Sequence, residues 1–125
     1  MQETMHLLAS PRNAERLLAS IAELDAGRRG ARADRAQGVK IAFSSRAWDE
    51  YLHWQARDEK VLARVNALLK ECMRVPSGGT GKPEPLGRNF GGWWSRRINE
   101  EQRLVYRVTG KDEAQVLEVA QCQYH

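Results

Sequence analysis

The sequence predicts an α+β fold, and three features of residues 39–125 predict it. A short strand-forming run, Val39-Lys40-Ile41-Ala42-Phe43, opens the region. Two stretches with apolar residues at helical spacing follow. After a long loop come segments in which apolar and polar residues alternate, the side-chain period of a strand with one buried face. The expected arrangement is a short N-terminal strand and two helices packed on a twisted antiparallel sheet, preceded by one extra N-terminal helix.

That extra helix comes from residues 10–26. Ser10 can cap it, and Pro11 suits the first helical position, where its missing N–H costs nothing. Ala14, Leu17, Leu18, Ile21 and Leu24 recur at helical spacing, and Gly27 is a stop signal. Residues 28–38 are rich in Arg, Gly and Ala, lack apolar periodicity and read as a linker. The chain therefore divides into a helical segment at 1–27, a linker at 28–38 and a domain at 39–125. In the domain, Ser44 or Ser45 caps a helix holding Trp48, Tyr51, Leu52 and Gln55, with Trp48 and Trp54 as packing residues. Asp58 opens a second helix, with Val61, Val65, Leu68, Leu69 and Cys72 on its apolar face and Pro76 at its end. Residues 77–92 make a long Gly- and Pro-rich loop, a kind of segment that tends to be functional in small domains. Strands are expected at about 93–98, 104–109 and 114–124.

Alternation fixes the middle hairpin. Trp94, Ile98, Leu104, Tyr106 and Val108 are even-numbered and apolar, while Ser95, Arg97, Arg103 and Arg107 are odd. An odd-length turn at Asn99-Glu100-Glu101 keeps both sets on consistent faces, pairing Ile98 with Gln102 and Arg97 with Arg103. Arg96 breaks the pattern by pointing coreward. Two cations directly opposite each other repel. Arg97 and Arg103 therefore call for an anionic ligand or a nearby carboxylate; the alternative is that each snorkels to water or pairs with Glu100, Glu101 or Glu118.

Composition sets outer limits. The chain has 125 residues, 42% hydrophobic and 29% charged, enough for one domain with an appendage. No apolar run approaches a membrane span, and no cationic-then-apolar leader opens the chain, so a cytoplasmic protein is expected. Cys72 and Cys122 fit no metal-ligand spacing and read as buried thiols. The net charge of +4 falls mostly on residues 39–125 and suits a polyanionic partner without proving one.

Several residues carry candidate chemistry. Glu84 sits between Pro83 and Pro85, which stiffen the backbone on both sides and suit a positioned base. His125 could move a proton near neutral pH. Trp93 could offer a stacking face for a base, whereas Trp94 belongs to the core by parity.

Five blocks within 39–125 form a specific pattern. They are Trp48…Tyr51-Leu52…Trp54-Gln55, Gly81-Lys82-Pro83-Glu84-Pro85-Leu86, Trp94-Ser95-Arg96-Arg97-Ile98, Glu101…Arg103-Leu104-Val105-Tyr106 and Tyr124-His125. Together they closely resemble the YoeB toxins of the RelE-like superfamily, ribosome-dependent messenger RNA interferases of bacterial toxin–antitoxin pairs. The resemblance implies a RelE-like fold and catalysis without metal or cofactor. It implies Glu84 as general base, His125 as general acid, and Arg103 with Arg97 as phosphate stabilisers. Lys82, Arg88, Trp93 and Arg107 are the expected RNA-binding residues, Arg88 standing where the family usually has lysine. Family members commonly carry one more aromatic residue after the histidine. Here the histidine is the last residue given, which is expected to alter the strength of the acid.

A second resemblance covers Glu3-Thr4-Met5-His6-Leu7-Leu8-Ala9-Ser10-Pro11…Asn13-Ala14…Arg16-Leu17-Leu18…Ile21, which is similar to the toxin-binding part of the YefM antitoxins. It implies that Leu7, Leu8, Ala14, Leu17, Leu18, Ile21 and Leu24 contact a toxin surface. The isolated helix is too short to be stable in water, so its stripe should dock on residues 39–125 and partly neutralise them. The expected partners are messenger RNA on the ribosome, a YefM-like antitoxin and a second copy, with the N-terminal segments docked within one chain or swapped. An alternative reading is a catalytically silent, self-neutralised toxin acting as an interaction module.

Overall fold

The structure, a computed structural model, describes residues 10–26, 40–74, 81, 83–87, 90–110 and 115–123. Helix α1 (Pro11–Asp25) comes first, then β1 (Lys40–Phe43), α2 (Ser45–Arg57) and α3 (Glu59–Arg74). Strands β2 (Glu84–Pro85), β3 (Trp94–Arg97), β4 (Arg103–Thr109) and β5 (Val116–Gln121) complete the fold. Capping follows the sequence. Ser10 Oγ accepts from Asn13 N–H at 3.2 Å. Of the two candidate serines, Ser44 caps α2, its Oγ accepting from Ala47 N–H at 3.0 Å. Asp58 Oδ1 accepts from Lys60 and Val61 N–H at the start of α3. The end of α3 expected at Pro76 lies outside the described residues.

The five strands lie in the order β1-β5-β4-β3-β2. The antiparallel sheet expected from the hairpin pattern is present from β2 to β5. The N-terminal strand departs from it, because β1 runs parallel to β5, from Lys40 opposite Val116 to Phe43 opposite Val119. A parallel neighbour needs a long crossover, and α2 and α3 lie within the one that joins β1 to the rest of the sheet. Inside the loop expected at 77–92, residues 84 and 85 form β2. Glu84 pairs with Ser95 and Pro85 with Trp94.

Even and odd residues of the hairpin separate as alternation requires. Ile98, Leu104 and Tyr106 join Phe43, Trp54, Val65, Leu68, Leu117 and Val119 in the main core under α2 and α3, with Trp94 and Val108 packed on it. Arg96, the coreward exception, is fully buried there: its Nε donates to the Tyr106 hydroxyl at 3.0 Å and its Nη1 reaches Glu71 at 3.5 Å. The ion pair with Glu71 and the hydrogen bond to Tyr106 account for it. Both cysteines are free and buried. Burial pushes the Cys72 thiol up to about 12 and Cys122 well above its ordinary value.

Successive residues of a strand face opposite ways, so Val105, between Leu104 and Tyr106, faces the other side of the sheet. A second core forms there from Leu17 and Leu24 of α1 with Leu86, Phe90, Trp93, Val105 and Ala120. Helix α1 thus covers the outer face, opposite α2 and α3. No helix among the described residues is long and apolar enough to cross a membrane.

Candidate active site

Register brings three of the expected site residues, Glu84, Arg97 and Arg103, to one face. Arg97 pairs directly with Arg103, as parity predicts. The turn closes with Ile98 N–H donating to Gln102 C=O at 2.9 Å. Glu84 lies opposite Ser95, Ser95 opposite Val105, and Val105 opposite Gln121. Directly opposed residues share a face, so Glu84 stands on the same face as the arginine pair. It lies one strand over from β3 and two residues along it from Arg97, a diagonal separation of about 7–8 Å between neighbouring positions.

Each of these residues has local support. Arg103 is 4% exposed, and its Nη1 donates to the carbonyls of Asn99 at 2.8 Å, Glu100 at 3.1 Å and Gln102 at 3.1 Å. Asn99 shapes that turn through Oδ1, which accepts from Glu101 N–H at 2.9 Å and Gln102 N–H at 2.8 Å. The Arg97 N–H donates to Gly81 C=O at 2.7 Å. Gly81 has φ 91°, and a Cβ there would stand 3.2 Å from Arg96 Cβ and from Arg97 O. The start of the segment that carries Glu84 is therefore tied to the strand that carries Arg97 at a point only glycine fits well.

Of the remaining expected residues, Lys82, Arg88 and His125 lie outside the described residues, as do Leu7 and Leu8. Trp93 needs correction. Expected to offer an open stacking face, it is 2% exposed in the second core, with the Arg107 guanidinium 4.4 Å from its ring centre. It precedes β3 and turns under α1, while Trp94 is only half-buried. Arg107, expected to meet RNA, is instead engaged within the chain: its Nε donates to Glu118 at 2.8 Å and its Nη2 to Asp25 of α1 at 2.9 Å. Burial opposes its charge, but these carboxylates outweigh that and raise its pKa. Glu118, one of the acids considered for the arginine pair, thus serves Arg107.

Of the expected helix stripe, Leu17 and Leu24 lie in the second core with Ile21 packed against it. Leu17 is 1% and Leu24 2% exposed, and Ala14 and Ile21 are half-buried. Leu18 is the exception at 50% exposed. Adjacent helical residues sit about 100° apart, and the face that turns inward runs through Asn13, Leu17, Ser20 and Leu24. Asn13 is fully buried and accepts from Gln121 Nε2 at 2.6 Å. At the other end of the helix, Glu23 accepts from Ser45 N–H at 3.1 Å. Sequence reasoning missed Asn13, Glu23 and Asp25 as docking residues. Asn13, four residues before Leu17 on the stripe, was the available signal. Among the described residues, no group of three or more His, Cys, Asp or Glu side chains could hold a metal ion.

A family model described as the YoeB-like toxin of the bacterial type II toxin-antitoxin system matches residues 43–125. The chain is also 48% identical to Toxin YoeB of Escherichia coli K12 over 87 residues, covering 70% of this chain and 99% of that one. The chain belongs to the YoeB toxin family. Among solved structures, a YoeB/ParE toxin from Agrobacterium tumefaciens superposes with a TM-score of 0.66 at 44% identity, covering 68% of this chain and 97% of that one. YoeB in a heterotetrameric YoeB-YefM toxin-antitoxin complex from Staphylococcus aureus gives a TM-score of 0.62 at 42% identity, covering 70% and 97%. The architecture is thus that of YoeB toxins, of the RelE-like fold. YoeB similarity spans the main core, the β3–β4 hairpin and β5, whereas α1 lies before the matched residues.

Proposed function

We propose that this chain is a ribosome-dependent endoribonuclease that cleaves messenger RNA without a metal, and that α1 partly holds it back. The observation that carries the reading is the shared face of Glu84, Arg97 and Arg103, with the two arginines at directly opposed positions of β3 and β4. Opposed cations are stabilised by an anion between them, and a phosphodiester is such an anion.

The chemistry follows from the groups. Glu84 takes the proton of the substrate's 2′-hydroxyl as that oxygen attacks the adjacent phosphorus. The bond from phosphorus to the 5′-oxygen breaks, and His125 protonates the departing oxygen. The products are a 2′,3′-cyclic phosphate and a free 5′-hydroxyl, so no water enters this step. Arg97 and Arg103 stabilise the charge that builds on the phosphorane-like transition state. Lys82 and Arg88 hold the flanking backbone.

On this reading residues 39–125 are the toxin domain, 28–38 the tether and 1–27 an antitoxin-like segment. The likeness of that segment to YefM antitoxins agrees with a helix lying across the outer face. Val105, Ser95 and Gln121, in the row that also holds Glu84, are each at most 3% exposed with α1 in place. The tether brings α1 to roughly millimolar local concentration, so a modest contact stays mostly closed. The partners are messenger RNA in the ribosomal decoding site, a YefM-like antitoxin and a second copy of the chain, all in the cytoplasm.

The test is cleavage of messenger RNA on programmed ribosomes by the full chain and by its Leu17→Asp variant, which should release α1. Glu84→Gln and Arg103→Lys in the released background should each lower the rate by about 10²–10⁴. Rates within threefold of the parent for both would overturn the assignment. A released chain that never cleaves would favour the silent, self-neutralised module instead.

A further inference from the structure

The end of β3 carries Arg97 and leads into the turn that holds Arg103, yet the sheet accounts for only part of its backbone. Ile98 N–H already bonds to Gln102 C=O, so the flanking Arg97–Arg103 pair is of the type whose backbone groups point away from the partner strand. On that far side β2 pairs only with Trp94 and Ser95 and does not reach Arg97. The Arg97 N–H finds Gly81. Its carbonyl accepts from Nη2 of Arg64, on α3, at 3.2 Å. The same guanidinium donates through Nε to Ile98 C=O at 3.1 Å. In a regular hairpin the Gln102 N–H would return to that carbonyl, but here it donates to Asn99 Oδ1. Arg64 therefore binds two consecutive carbonyls at the strand end, and buried or half-buried carbonyls need such partners.

We propose that Arg64 is a positioning residue for the arginine pair: from α3 it grips the carbonyls of Arg97 and Ile98 and fixes the strand end from which both arginines meet the phosphate. This rests on the nuclease reading above. The contact is rigid at both ends. Arg64 leaves a helix whose Val65, Leu68 and Leu69 are core residues, and its planar fork matches two neighbouring oxygens as a lysine ammonium cannot. Arg64 does not itself touch the reacting atoms. It acts through the backbone of Arg97 and, across the turn, on the seat of Arg103.

Position matters here because a displacement of about 1 Å at a reacting centre can cost as much as about a hundredfold in rate. The experiment uses the full chain carrying Leu17→Asp, with Arg64→Met and Arg64→Lys added singly, at a temperature where all variants are folded. Arg64→Met should lower kcat for ribosomal messenger RNA cleavage about tenfold or more with KM within about twofold, and Arg64→Lys should recover part of the loss. Hydrogen exchange at the Ile98 and Asn99 amides, both bonded to Gln102 C=O, should quicken in Arg64→Met. Faster exchange with kcat unchanged would mark a purely structural contact and overturn the proposal. A loss carried wholly by KM would make Arg64 an RNA contact and also overturn it. If the Leu17→Asp parent itself never cleaves, the nuclease reading falls and the role of Arg64 falls with it. If the parent cleaves and Arg64→Met matches it, only the role of Arg64 falls.

Discussion

Glu50 is 3% exposed, with Oε1 accepting from Cys122 N–H at 2.8 Å. Burial pushes its carboxyl up to about 8, against the opposing pull of the Cys122 N–H and of Arg46. Its folded value stands above the ordinary 4.5, so the native state holds this proton more tightly than the unfolded chain does. The stabilisation is therefore complete below about pH 4.5 and is lost as pH rises through about 8. Glu50→Gln, which keeps the acceptor, should be more stable than the parent at pH 9 by an amount on the order of a few kcal/mol relative to pH 5. Urea midpoints at the two pH values check this, and an identical difference at both would refute it. Gly81 makes a second expectation at this scale. An alanine there adopts a left-handed backbone at a cost of about 1–2 kcal/mol and crowds Arg96 and Arg97. Gly81→Ala should thus slow cleavage at temperatures where it remains fully folded; an unchanged rate would show that the Glu84 segment is placed by other means. The placement of candidate residues was legible in sequence where it depends on strand parity, as for Arg97 opposite Arg103. It was not legible for Asp25 and Arg107, which lie 82 residues apart and meet only through tertiary packing. Trp93 was misread for the same reason, since parity within a strand says nothing about a residue just before the strand that a distant helix covers.

Elements fared better, because each carries its own signal. Ser10 and Pro11 mark the start of α1, Ser44 that of α2 and Asp58 that of α3, all by local hydrogen bonding that needs no distant partner. What sequence left open was the direction of β1, since a short run such as Val39-Lys40-Ile41-Ala42-Phe43 reads alike for parallel and antiparallel pairing. Strand β2 was hidden too, being two residues long and half proline. For α1, two opposite effects set its hold on the sheet. Burying Leu17 and Leu24 contributes about 1.5–3 kcal/mol each, while ordering a short helix opposes docking. The polar contacts at Asn13, Glu23 and Asp25 decide where it sits more than how tightly. Asp25→Asn should therefore raise cleavage only modestly, by about two- to fivefold, since a surface ion pair is worth about 1 kcal/mol or less. Leu17→Ala should raise it more, because removing a buried leucine costs about 2–5 kcal/mol, limited here by the docking energy of α1 itself. If Asp25→Asn outstrips Leu17→Ala in a side-by-side ribosome assay, the helix is held by charge and this account is wrong.

For the molecule as a whole, the pairing of β1 with β5 sets an order of events during synthesis. Residues 40–43 leave the ribosome early but have no strand to join until residues 116–119 follow. Helix α1 emerges earlier still. Its docking surface uses Leu86, Phe90, Trp93, Val105 and Ala120, so it waits for the same late segment. Contacts so distant in sequence form slowly, after nearly the whole chain has been made. On the proposed reading the restraint is translated before the thing it restrains. The outer face gains its cover in the same step that assembles it, so a newly made chain never exposes an open cleft to the ribosome that is making it. Chains stalled before residue 116 should accordingly be digested by protease within residues 11–25 and 40–43, and released full-length chains should be protected there. Equal protection in both would mean that β1 and α1 find partners without β5.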